Sequence, residues 1–273
     1  MSYFRASTRD DRQVLVPMDW ARSGWAANGQ IRGTAISGAL AMAAESVAAG
    51  LEGAGMFRPV RWTLDLFRPA AMIPSTTYAT VVRSGRRLRL VDAVFVQEGA
   101  AVARGSLLLL AVGGAASGTT WISPASDVPP VPGLRPAGTE RTLFFSEGKG
   151  WTTDSADHGN AARKATWHLP VPVIEGTLPS PFQHVATIAD SSNLVTNWGT
   201  AGVEFINADL TLALTRLPDE AAGIGLTAAQ RTAGDGIALG ATTVFDSRGP
   251  LGMVLVSTLA NGTHAVDPGA VVF

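Results

Sequence analysis

The sequence predicts an α+β fold made of two tandem copies of one module, each a long helix wrapped by a curved antiparallel β-sheet. Three observations lead there. The segment Val60–Pro69 alternates strictly, with Trp62, Leu64 and Leu66 on one strand face before an Arg68-Pro69 stop. About 150 residues on, Leu210, Leu212 and Leu214 stand in the same relation to Arg216 and Pro218. The turn signals that follow repeat as well: Ser84-Gly85, Phe95 and Glu98-Gly99 in the first copy, Gly234-Asp235-Gly236, Phe245 and Arg248-Gly249 in the second. Finally, one stretch of helical periodicity precedes each set of strands.

Taken in order, residues Met1 to Arg12 are polar and charged, without the apolar stretch of a secretory leader. Asn28-Gly29-Gln30-Ile31-Arg32-Gly33 leads into a helix over Thr34 to Ala49, where Ile36, Leu40, Ala43 and Val47 recur at helical spacing. Gly50, Gly53 and Gly55 end it. Strands are expected at 60–67, 76–83, 87–97 and 101–111. From Gly113 to Gly138 the composition turns to Gly, Ala, Ser, Thr and Pro, with Pro124, Pro129, Pro130, Pro132 and Pro136 favouring an extended connector. The expected organisation is an N-terminal unit over 1–112, a linker over 113–138 and a C-terminal unit over 139–273.

The second copy begins with strand-like stretches around Leu143–Phe145 and Trp167–Leu169. A helix from Phe182 to Trp198 carries the stripe Val185, Ile188, Ala189, Ser192 and Val195. Strands are expected near 203–215, 223–232, 237–246 and 251–260. One helix laid across one sheet buries the apolar face of each.

Composition narrows the function. The 273 residues are 46% apolar and 16% charged, enough to bury a sizeable core and unlike a disordered chain. A net charge of −1 gives no electrostatic reason for a nucleic-acid or anionic-membrane partner. The chain has no cysteine, which excludes disulfides, thiolate nucleophiles and cysteine metal sites. The longest apolar runs, such as Leu107 to Val112, fall far short of the ~20 residues that span a bilayer. A soluble, cytoplasmic protein is expected. The four histidines, His158, His168, His184 and His264, show no metal-binding spacing. Gly234 to Gly240 joins two strands instead of opening a helix and is not a dinucleotide loop. No Gly-x-Ser-x-Gly elbow occurs.

In Asn28 to Gly33, Val60 to Pro69, Val82 to Arg87 with Ala101 to Arg104, Ile188 to Asn193 and Ala208 to Leu212, taken in that order and spacing, the chain resembles the acyl-CoA thioesterases of the double hotdog type, the group that includes bacterial thioesterase II. The resemblance implies a tandem hotdog fold, an acyl-CoA substrate hydrolysed at its thioester, and double hotdogs that pair as homodimers. It also implies a polar site in the second half: an Asp on the helix, a Thr or Ser on the next strand and a Gln on the last strand. The Asp falls on Asp190, the Thr on Asn207 and the Gln on Val256. Ser257, Thr258 or a shifted register offers a replacement for the Gln. No metal or other cofactor is implied.

Thioester hydrolysis needs an activated water and a donor for the developing oxyanion. Asp190 could act as base or attack directly, Asn207 could donate from its amide, and Asn193, one helical turn on, could orient Asp190. Gly29 and Gly33 would allow close backbone approach at a helix start whose amides are free. Arg32 could meet a phosphate or a carboxylate. Arg86, with Arg83, Arg87 and Arg89, could meet the phosphates of coenzyme A. Arg87 and Arg89 also alternate with Leu88 and Leu90, as on a strand with one wet face. Leu40 stands in the first copy where Asp190 stands in the second, which suits a single active half. Two further readings stay open: a non-catalytic acyl-CoA-binding or scaffolding protein that has lost the Gln, and a hotdog hydratase, which would need a His where Val195 stands. Trp25, Trp62, Phe67, Trp198 and Phe205 are the aromatic candidates for lining an acyl tunnel.

Overall fold

The computed structural model describes residues 1–9, 12–24, 29–114, 117–121, 128–134, 141–219, 223–261 and 265–268. Trp25, Asn28, Pro124, Pro136 and His264 therefore lie outside the described residues. Strands β1 (Phe4–Arg9) and β2 (Arg12–Pro17) pair as an antiparallel ladder ahead of helix α1 (Gly33–Ala49). Then come β3 (Phe57–Leu66), β4 (Thr76–Ser84), β5 (Leu88–Gln97) and β6 (Ala100–Ala111). The second half opens with β7 (Thr142–Ser146), β8 (Gly150–Thr152) and β9 (Lys164–His168). Helices α2 (Pro181–Ala189) and α3 (Ser192–Asn197) follow, then the short β10 (Trp198–Gly199), β11 (Gly202–Val203) and β12 (Phe205–Asn207). The chain continues through β13 (Asp209–Leu214), β14 (Ile224–Gly234), β15 (Ile237–Asp246) and β16 (Gly249–Ala260).

One antiparallel sheet dominates, in the order β4-β5-β6-β3-β13-β16-β15-β14-β9-β7-β8, with β12 also paired to β16. The four strands β3 to β6 and their counterparts β13 to β16 appear in mirrored order about the β3–β13 seam. The seam is formed by the repeated segments themselves: Leu210 sits opposite Leu64 and Leu212 opposite Trp62. Sequence repetition thus becomes a pseudo-two-fold axis, and the architecture is a double hotdog. Two turns that repeat signals implied have the geometry those residues require. Glu98 and Gly99 have φ of 49° and 78°, and Asp235 and Gly236 have φ of 53° and 77°. Positive φ at both central residues matches the right-handed strand twist of a two-residue hairpin.

Helices α1 and α2 lie in one continuous core with the sheet, where Ile36, Leu40, Trp62, Phe95, Phe182, Val185 and Leu212 are all buried. A buried polar chain ties the layers: Trp62 Nε1 donates to Ser37 Oγ at 3.0 Å, and Ser37 donates to the Ala186 carbonyl at 2.7 Å. Glu45 on α1 fastens the start of α2, accepting from the Ser180 hydroxyl and from Gln183 Nε2, both at 2.7 Å. The Gln183 amide donates back to Ser180 Oγ at 3.0 Å, a capping box completed by a carboxylate at the positive helix end.

Three expectations need correction. The helix over Phe182 to Trp198 is interrupted at Asp190-Ser191, where three residues of weak helix propensity, Ser191, Ser192 and Asn193, follow one another. Ser192 bonds Thr242 across the sheet at 2.9 Å, taking up the hydroxyl. The strand over 203–215 is three short strands. Arg89 is not on a wet face: it is buried over the Phe57 ring at 3.8 Å and donates to the Glu52 carbonyl. The β1–β2 ladder and β8 had no sequence expectation.

Candidate active site

The break between α2 and α3 sets Asp190 at the end of α2, still in helical conformation (φ −63°, ψ −24°), with its carboxylate facing out of the helix. Asn207, on β12, donates from Nδ2 to Asp190 Oδ1 at 2.8 Å. With Nδ2 bonded to the carboxylate, the amide oxygen of Asn207 can accept a hydrogen bond from another group. The first half meets the same carboxylate through the start of α1. The Thr34 backbone amide donates to it. A Cβ built on Gly33 would stand 2.6 Å from Asp190 Oδ1 and 2.7 Å from Cγ, so only glycine leaves room for this approach. The unsatisfied amides and partial positive charge of a helix N-terminus favour an anion there.

Burial pushes the Asp190 carboxyl above the ordinary carboxylate range, while the Asn207 amide, the Thr34 amide and the Arg32 guanidinium each pull it back. Arg32 remains a cation, its basicity lowered by burial. Its guanidinium donates twice to the Arg22 carbonyl, at 3.0 and 2.7 Å, and lies 5.6 Å from the centre of the Trp20 ring. Tyr3, buried beside Arg32 and Asp190, has its phenol pushed up by burial and stays a neutral donor.

These groups line a cavity that is partly open to solvent. Its wall draws on both halves: Tyr3, Trp20, Arg32 and Thr34 from the first, His168, His184, Thr187, Asp190, Asn193 and Asn207 from the second. Burial holds His168 and His184 neutral, with basicity lowered to about 3 in each. His158 is elsewhere, held between Ser146 at 2.9 Å and Thr152 at 2.8 Å. Among the described residues no group of three or more His, Cys, Asp or Glu is placed to hold a metal.

Two family models match the chain: the acyl-CoA thioesterase N-terminal domain over residues 19–110 and the acyl-CoA thioesterase C-terminal domain over residues 119–255. The chain belongs to the acyl-CoA thioesterase family. Curated protein sequences give no match. Among solved structures it is similar to the tesB protein of Mycobacterium avium subsp. paratuberculosis, at 15% identity and a TM-score of 0.60, covering 91% of this chain and 92% of that one. It is also similar to an acyl-CoA thioesterase II from Mycobacterium marinum, at 18% identity and a TM-score of 0.59, covering 85% and 90%. A third is a conserved hotdog protein of unknown function from Alicyclobacillus acidocaldarius, at 16% identity and a TM-score of 0.63, covering 95% and 96%. At such identities the likeness is one of fold.

Within this chain the sequence-derived site residues separate into groups. Asp190, Asn207, Asn193 and Arg32 line one cavity, and Gly33 touches the carboxylate. Asn193 does not orient Asp190 with its side chain. It donates to the Phe205 carbonyl at 3.0 Å and accepts from Asn197 at 2.9 Å, so it anchors the strand that carries Asn207. Gly29 has φ of 65° beside the Arg22 guanidinium and is not a lining residue, which makes it a turn glycine. Arg86 is exposed in the β4–β5 turn and does not line the cavity either. Val256 is fully buried in the core. Thr258 donates to the Ala238 carbonyl at 2.9 Å, and neither it nor Ser257 lines the cavity, so no β16 side chain supplies the third polar group. Trp62, Phe67, Trp198 and Phe205 do not line it. Sequence reasoning missed Tyr3, Thr34, His184 and Thr187. For the last two a signal existed: polar residues at i and i+3 on a largely apolar helix that ends on the candidate acid.

Proposed function

We propose that this protein hydrolyses acyl-CoA thioesters with Asp190 as general base. The observation that carries the reading is the Asp190–Asn207 pair set against the N-terminus of α1 in a cavity walled by both halves. Asp190 takes a proton from a water whose other hydrogen is accepted by the Asn207 amide oxygen. The water oxygen bonds to the thioester carbonyl carbon as the carbonyl electrons move onto oxygen. The Tyr3 hydroxyl is a nearby donor for that oxyanion. Collapse breaks the carbon–sulfur bond, and the departing thiolate takes the proton back from Asp190. A raised carboxyl suits this work, because a base with affinity closer to neutrality removes a proton more readily. The test is release of free thiol from short, medium and long acyl-CoAs, native protein against Asp190→Ala.

A non-catalytic acyl-CoA binder is the second reading, and Val256 in the apolar core favours it, since the Gln position is empty of hydrogen-bonding groups. Measurable acyl-CoA binding without turnover at any chain length would select it.

We further infer a homodimer. The outer sheet face carries Ile206, Ile237, Leu239, Met253, Leu255 and Leu259 as neighbours on β12, β15 and β16, each 45–56% exposed. Contiguous exposed apolar surface of this kind marks association sites. A monomer by light scattering at micromolar concentration would contradict it. The proposed units remain 1–112 and 139–273 around the linker, and the proposed setting is cytoplasmic. Among the described residues, no helix is long and apolar enough to cross a membrane.

A further inference from the structure

Two buried side-chain polar atoms without a hydrogen-bond partner belong to residues lining this one cavity: His184 Nε2 and Thr187 Oγ1. Buried polar groups are nearly always paired, so a cluster of unpaired ones in a cavity wall marks groups that await a ligand. His184 and Thr187 are only 4% and 3% exposed. They stand at i and i+3 on α2, on the face that continues through Ile188 to Ser191. Thr187 is three residues, about 4.5 Å, and His184 six residues, about 9 Å, along the helix axis from Asp190. The neighbouring His168 makes a useful contrast, because both its ring nitrogens are engaged, by Thr142 at 3.3 Å and by Thr166 at 2.9 Å.

We infer that His184 and Thr187 form a subsite for an oxygen-bearing substituent, a hydroxyl or a ketone, on the acyl chain. The inference rests on the thioesterase reading above and names its substrate class. A neutral imidazole and a hydroxyl can each donate or accept, which matches an uncharged oxygen on the substrate. With the thioester carbonyl held at Asp190 and carbon–carbon bonds of about 1.5 Å, the substituent falls roughly three to seven carbons along the chain. Ile188, Leu169 and Val171 supply apolar wall for the intervening methylenes. A site built to hydrogen-bond a substrate oxygen rejects the analogue lacking it far more strongly than an apolar pocket rejects an extra group. The protein should therefore discriminate against plain alkyl chains.

The test compares octanoyl-CoA with its singly hydroxylated and oxo derivatives at each chain position, and with the dicarboxylic octanedioyl-CoA. For the native protein, at least one oxygenated derivative is expected to exceed octanoyl-CoA in kcat/KM by about tenfold or more. Thr187→Val, which keeps the shape, and His184→Phe should each collapse that selectivity ratio toward one. Binding of the matching non-hydrolysable thioether analogues, measured by calorimetry, gives a second readout that needs no turnover. Tighter binding of the oxygenated analogue, weakened by Thr187→Val, supports the subsite even if the hydrolysis reading fails. Equal handling of plain and oxygenated chains in both assays overturns the subsite while leaving hydrolysis intact. Preference for the dicarboxylic chain over every neutral oxygen overturns it too, because a neutral His184 does not call for an anion.

Discussion

Replacing Gly33 by alanine separates the proposed site from ordinary helix energetics. Gly33 opens α1 in helical conformation, so alanine there would, on intrinsic preference alone, stabilise the helix by about 0.5–1 kcal/mol. In the native chain the new methyl would meet Asp190 Oδ1 at 2.6 Å, where ordinary contact begins at 3.4 Å. The carboxylate must retreat by close to an ångström, and the 2.8 Å bond from Asn207 then leaves hydrogen-bonding range. A displacement of that size at a reacting group costs on the order of 10²-fold in rate. The assay is kcat/KM for a good acyl-CoA substrate alongside thermal unfolding, completed as a double-mutant cycle with Asp190→Ala. With the carboxylate gone, Gly33→Ala should recover its stabilisation, about 2–4 °C of Tm for each kcal/mol. In the native background that gain should vanish or reverse, giving a coupling of about 0.5–3 kcal/mol. Near-native turnover in Gly33→Ala, or a cycle without coupling, would refute the reasoning.

Asp190→Asn should lower kcat by about 10²–10⁴, the usual contribution of a general base. The same variant should unfold at a higher temperature near neutral pH. The folded state holds the Asp190 carboxyl above its unfolded value, so its ionisation opposes folding. That cost appears as pH rises above the unfolded value and is fully present above the folded one. Differential scanning calorimetry at two pH values checks the sign. In the native protein, kcat/KM should fall on acidification through a value above the ordinary carboxylate range. Asn207→Ala removes a donor that favours the charged form, so its acid limb should move to higher pH. Val256→Gln should not raise kcat, because the residue faces the core and not the cavity. It should cost stability by leaving an amide unpaired, about 1–3 kcal/mol by denaturant unfolding.

The duplicated architecture was legible because it rests on strand alternation and turn chemistry. The matched Trp62-Leu64 and Leu210-Leu212 pairs face each other across the seam, and Glu98-Gly99 and Asp235-Gly236 turn as their residues require. Asp190 and Asn207 were reached through family resemblance, and their mutual bond gives that placement a geometry. The role of Gly33 was only half visible. A glycine at a helix start reads as turn chemistry until the opposing residue is known, and here that residue lies 157 positions away in sequence. Tyr3 was invisible for the same reason, since its hairpin is brought to the site by long-range packing, with the Tyr3 and Phe4 amides donating to the Pro172 and Val173 carbonyls. Arg89 misled because its alternation with leucines is that of an exposed strand, whereas α1's trailing loop covers it.

We propose Asp190 as the base of a thioester hydrolase. Its most direct test is single-substrate thiol release followed for the native protein and Asp190→Asn at equal folded concentration, over a series of acyl-CoAs that includes the oxygenated chains. The native protein should turn over, with a loss of at least 10²-fold in the variant and acyl-CoA still bound. Turnover surviving the substitution within a few-fold would contradict it, as would a native protein that binds every acyl-CoA and cleaves none.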